Sequence, residues 1–97
     1  MYILQLLLME NLHARALNLG ATEFGRSKTK SKRFYVVYNG KKINFGLKGG
    51  QTFIDHKDKK KRDAWRARHH KIRLKDGSLA YKNKNQASFW SNKILWM

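Results

Sequence analysis

The Asn39-Gly40 dipeptide, set between RFYVVY and KKINFG, constrains this chain more than any other feature. Both flanks are β-branched and aromatic. A type I′ turn needs positive φ at both central residues, which Asn and Gly adopt at least cost. A two-residue loop then fixes the register: Tyr38 opposite Lys41, Val37 opposite Lys42, Val36 opposite Ile43, and Phe34 opposite Phe45. Successive side chains alternate, so Phe34, Val36, Ile43 and Phe45 share one apolar face. Tyr35, Val37, Lys42 and Asn44 share the other, mixed enough to stay wet. An isolated hairpin is marginal in water, so the rest of the chain must cover the apolar face.

Two later stretches are candidates for that cover. Phe53 to Leu74 contains no Gly or Pro and is rich in Lys, Arg and Ala, which predicts one continuous helix. It carries nine cations: Lys57, Lys59, Lys60, Lys61, Arg62, Arg66, Arg68, Lys71 and Arg73. Ile54, Trp65 and Ile72 fall on a single narrow seam at helical spacing, which predicts that the helix lays this seam on the hairpin and turns its charge outward. Thr52 or Asp55 can cap its start. Asp58 with Arg62, and Asp63 with Lys59 or Lys60, have the spacing of intrahelical ion pairs. After a Lys75-Asp76-Gly77-Ser78 turn, Leu79 to Tyr81 reads as a short strand or extended chain. The end, NQASFWSNKILWM, predicts a second short helix capped by Asn85 or Ser88, with Ala87, Trp90, Ile94 and Met97 in helical register and Phe89, Leu95 and Trp96 close by. Its aromatic residues have two possible uses. They can close the core, which a small domain needs, or they can anchor a protein interface from an exposed position.

Ahead of the hairpin the chain changes character twice. Residues 1–17 begin with the apolar run MYILQLLL and predict a helix whose apolar side (Ile3, Leu4, Leu7, Leu8, Leu12) docks on a partner or on the body of the fold; alternatively, Met9 is the biological start. Residues 18–32 are rich in Gly, Ser, Thr and Lys and predict a flexible basic arm, with Arg26, Lys28, Lys30 and Lys32, and Arg33 at its end, available to an anionic surface. The remainder, residues 33–97, is the expected core. The fold expected is therefore a small single-domain α+β: a β-hairpin packed on a long basic helix and a C-terminal aromatic helix, with an N-terminal helix and arm extending from it.

The charge balance points to the partner. There are 22 Lys and Arg against 6 Asp and Glu, a net charge of +16, and a compact chain so charged repels itself unless a polyanion or an acidic surface neutralises it. A hydrophobic share of 41% is too high for a disordered basic tail. The absence of cysteine removes disulfide, thiolate-metal and thiol chemistry. His13, His56, His69 and His70 lack paired ligand spacing. The run GLKGGQT before the helix lacks the spacing of a phosphate-binding loop. The opening apolar run is too short to span a bilayer and lacks the flanks of a signal peptide. Asp55, Asp58 and Asp63 with His56 and His69 can be drawn as an acid/base set, but a lone helix offers no cleft on which they converge. No catalytic residue and no cofactor is expected.

Several short motifs carry a resemblance. Phe45-Gly46 closing the hairpin, Phe53 followed by His56-Lys57-Asp58, Arg68-His69, Phe89-Trp90-Ser91 and Leu95-Trp96 together resemble a family of small basic proteins of unknown function from large double-stranded DNA viruses of eukaryotes. The resemblance covers residues 33–97. The family's Gly before FWS is Ser88 here, and the first thirty or so residues have no counterpart. It implies a viral origin and a virion-associated role, and it brings no catalytic residues with it.

Together these readings predict a non-enzymatic virion structural protein. It would be a minor capsid or core component that bridges capsid proteins through its extended arms and its basic face, with Trp65, Phe89, Trp90 and Trp96 serving as interface or core and the C-terminal aromatics suited to a partner pocket. It would reside in the capsid or subcapsid layer, and in host cytoplasm or nucleus during assembly. The alternative is a sequence-nonspecific nucleic-acid-binding protein that helps package viral DNA. Neither reading involves a small-molecule substrate or a membrane span.

Overall fold

The computed structural model describes residues 2–97, with side chains from Leu7 onward. Helix α1 (Tyr2–Asn18) leads into a sheet of β1 (Glu23–Arg26), β2 (Lys32–Tyr38) and β3 (Lys41–Leu47). Helices α2 (Phe53–His56) and α3 (Lys59–His69) follow, then a single 3-10 turn (Ala80–Lys82) and α4 (Ala87–Trp90), which continues as a π-helical turn over Ser91–Leu95. The architecture is α+β.

The hairpin forms in the expected register, with Asn39 at φ 53° and Gly40 at φ 76°. What the hairpin reading lacked is a third strand. β1 pairs antiparallel with β2, Phe24 opposite Val36 and Gly25 opposite Tyr35, giving the order β1-β2-β3. Part of the expected basic arm is therefore sheet. Phe24 is the reason: it is buried, and its ring lies 5.4 Å from Phe34, which in turn lies 6.1 Å from Phe45. This row of rings crosses all three strands, so β1 contributes core as well as hydrogen bonds. The radius of gyration, 13.3 Å, is close to the ~13 Å of a folded chain of this length, and among the described residues no arm extends from the sheet.

The apolar face, with Phe34, Val36, Ile43 and Phe45 all buried, is covered chiefly by two elements. α1 packs on β1 and inserts Leu12 and Ala16; the C-terminal helix packs on β3 and inserts Trp90, Ile94 and Leu95. Leu8 lies half-buried against this core, Leu7 is 51% exposed, and Ile3 and Leu4 fall outside the described side chains. The basic helix reaches the core through Trp65 rather than by lying along the hairpin.

That helix is not continuous. α2 ends at Lys57, whose left-handed φ of 57° sends its N–H back to the Phe53 carbonyl, and α3 starts afresh after Asp58. The Asp58 carboxylate accepts hydrogen bonds from the backbone N–H groups of Lys60 (2.9 Å) and Lys61 (3.2 Å), an N-cap in the middle of the cationic run. The expected Asp58–Arg62 pair gives way to this cap, and Asp63 meets Arg62 at 3.4 Å instead of Lys59 or Lys60. α3 also stops at His69, which leaves Ile72 off the seam and 45% exposed, whereas Ile54 and Trp65 are buried. Residues 70–79 turn back on themselves, joined by an antiparallel bridge between Arg73 and Leu79. Leu79–Tyr81, expected as a short strand or extended chain, is mostly the 3-10 turn. Gln86 takes the N-cap position of α4, in place of Asn85 or Ser88.

Candidate nucleic-acid interface

The residues of α3 divide by angle. At 3.6 residues per turn, Trp65 sets the buried side, with Arg62, Arg66 and His69 half-buried beside it. Lys60, Lys61, Asp63, Ala64, Ala67 and Arg68 are all exposed, Lys61 and Arg68 on the other flank of Trp65 and Asp63 nearly opposite it, with Lys59 at the first turn and Lys71 just past the last. This sorting follows from having one large apolar residue in eleven: only the flank of Trp65 gains by burial, and the hydrated cations keep the remainder. The two alanines leave low ground between the longer basic side chains.

The nine cations predicted to bind split into two groups. Lys59, Lys60, Lys61, Arg68 and Lys71 are exposed. The other four serve the fold in part, Lys57 and Arg73 while exposed, Arg62 and Arg66 half-buried. Arg66 donates to the Trp96 carbonyl (3.0 Å) and approaches the Met97 Sδ (3.0 Å), and Arg73 donates to the Gly77 carbonyl (2.7 Å). Arg62 lies over the Phe53 ring at 4.9 Å, and the Lys57 Nζ is 5.6 Å from the same ring. Of the basic-arm residues, Arg26, Lys28 and Lys30 are exposed at the end of β1 and in the turn to β2, Lys32 is half-buried, and Arg33 is spoken for. Its guanidinium meets Asp55 through two hydrogen bonds of 2.8 Å each. That contact, with further hydrogen bonds from the Thr52 N–H and hydroxyl, holds the Asp55 carboxyl down to about 2. Elsewhere, the Tyr35 hydroxyl donates to Glu23, which raises the phenol's pKa, while Lys42 sits 4.5 Å over the same ring.

The four aromatic residues singled out from sequence are all buried: Trp65, Phe89, Trp90 and Trp96. They are core, and the exposed anchor is not their position. Trp90 is fully enclosed and its indole N–H donates to the Lys84 carbonyl at 2.7 Å. Trp65 and Trp96 stack at 5.0 Å with planes 11° apart; His69 stacks on the far side of the same system, 4.1 Å from Trp65 and 13° off parallel. His56 closes the other end, 5.6 Å from Trp96, with its Nδ1 accepting the Asp58 N–H at 2.9 Å. This column joins α2, α3 and the chain end. Sequence reasoning missed it, although the spacing of four between Trp65 and His69 was a signal for half of it. His70 is likewise engaged, stacked on Tyr81 at 3.8 Å and bonded to the buried Asn92.

Among the described residues no three His, Asp or Glu side chains converge as metal ligands would, and no helix is long and apolar enough to cross a membrane. No curated protein and no solved structure matches the chain. Residues 22–69, which run from the start of β1 through the end of α3, match a family of unknown function (DUF5754).

Proposed function

We propose that this protein is a non-enzymatic nucleic-acid-binding protein, viral in origin, that holds a phosphate backbone without reading its sequence. The observation that carries this reading is the imbalance of charge at the surface. Among the described residues, of 22 Lys and Arg only Arg33 and Arg62 meet a carboxylate at salt-bridge distance. A polyanion that covers the α3 strip relieves that repulsion and releases its own counterions. Ala64 and Ala67 let a phosphate chain settle between Lys60, Lys61 and Arg68. No base-reading motif is present in the sequence, so affinity belongs to the backbone.

The test is titration of unrelated duplexes of about 20 base pairs over a range of salt, in which log K falls linearly with slope about −0.9 per neutralised phosphate. The variant Lys59→Glu/Lys60→Glu/Lys61→Glu/Arg68→Glu folds and loses binding. Salt-independent binding, or binding unchanged in this variant, would sink the proposal.

Virion structural protein is the second reading. Burial of the aromatic group and pairing of β1 remove two of the features it drew on, the exposed anchor and the free arm. One observation favours it: Leu7 (51%) and Leu17 (44%) are exposed on the side of α1 away from the buried Leu12 and Ala16, two separate apolar contacts open to a capsid neighbour. In stepped-salt fractionation of virions, release together with the genome supports the first reading. Retention with the shell at high salt supports the second.

A further inference from the structure

Resting on the nucleic-acid reading, we propose that the preferred ligand is single-stranded and that one of its unpaired bases enters the groove where the ring column meets Leu47. The groove is open to solvent, has a volume of about 470 Å³ and is lined by Trp65, His69, Trp96, Leu47, Lys32 and Ser91, among others. A volume in this range holds a planar heterocycle and its sugar. Three rings of the column, Trp65, His69 and Trp96, border the groove, and the half-buried His69 has Trp65 as its one ring neighbour among the described residues. A planar ring that enters the groove packs against these rings. Leu47 is 67% exposed, the most exposed large apolar residue among the described residues, and it too lines the groove. Lys32 brings a cation to the wall.

Aromatic rings, an exposed apolar side chain and a cation in one groove are the elements that hold single strands without sequence preference: bases stack, and phosphates track the charge. A duplex keeps its base faces stacked inside and can use the α3 strip alone. The groove therefore discriminates between the two forms, and the strip does not.

The experiment compares an oligothymidylate of about 12 nucleotides with a duplex of the same length, using the full chain at one salt concentration. The single strand binds about tenfold more tightly than the duplex and quenches tryptophan fluorescence. His69→Ala and Leu47→Gln each abolish that preference and leave duplex affinity unchanged. Leu47→Gln lies at an exposed position and carries the test if His69→Ala disturbs the helix. Equal affinity for the two forms, or a preference that survives Leu47→Gln, overturns the single-strand proposal and leaves the general reading standing. Failure to bind either form overturns both.

Discussion

Helix α3 and the C-terminal segment both look, as sequences, like surfaces made for a partner, one by charge and the other by aromatic content. The structure sends them opposite ways. α3 buries one tryptophan and keeps its charge in water, while the C-terminal segment buries Phe89, Trp90, Asn92, Ile94, Leu95 and Trp96 and leaves Met97 outside. The difference teaches that in a chain this small, apolar groups are used up by the core first, and what remains for recognition is what the core cannot take. Ligand contact should therefore change when α3 is altered, and stability when the C-terminal segment is altered.

The most damaging test of that division is Trp90→Ala. Loss of a fully enclosed indole and its hydrogen bond to Lys84 should cost about 3–5 kcal/mol in urea denaturation. A variant that stays near wild-type stability would mean the C-terminal segment is not core. Gly46→Ala comes next. Gly46 has φ 80°, and an added Cβ would sit 2.9 Å from the Leu95 Cδ1, so about 1–3 kcal/mol should go, read in the same assay. Asp58→Ala removes the cap that separates α2 from α3 and should cost about 1 kcal/mol by thermal melting. Lys60→Ala should change stability by less than about 0.5 kcal/mol and lower the salt slope of DNA binding by about one phosphate. The subtlest test is by pH. Since the Asp55 carboxyl is held down to about 2, its contribution is complete above the ordinary carboxylate range. It is lost as pH falls from about 4 through about 2. Asp55→Asn should flatten the acid limb of a stability profile in that window and leave neutral pH binding to DNA intact.

How far the sequence revealed this outcome varied with the range of the interactions. The β2–β3 register was legible to the residue because turn chemistry and alternation are local. β1 was not, because a four-residue strand with one large apolar side chain shows no period; only the encounter of Phe24 with Phe34 makes it a strand. The break at Lys57 was hidden since Asp58 suits two roles, i+4 ion partner and N-cap, and the choice depends on where α2 ends. For the binding surface, the exposure of Lys59, Lys60, Lys61 and Arg68 was legible from charge, whereas the recruitment of Arg66 to the Trp96 carbonyl was not, because it joins residues thirty positions apart. The fate of the C-terminal aromatics was undecided for a simple reason: helical spacing is the same whether a stripe meets a partner chain or its own sheet.

The π-helical turn at Ser91–Leu95 has an effect that reaches beyond its own five residues. In an α-helix, the residue five beyond Trp90 points about 140° away from it. Here the Trp96 N–H reaches back to the Ser91 carbonyl at 3.1 Å, five positions earlier, and the wider ring brings Leu95 round to the same bearing as Trp90 and Ile94. Three side chains thus meet the sheet where a regular coil of the same length would offer two. The segment acts as a phase adjuster. Removing a single residue between Ser91 and Leu95 would shorten the chain by almost nothing, yet it would rotate Trp96 out of its stack and separate the chain end from α3.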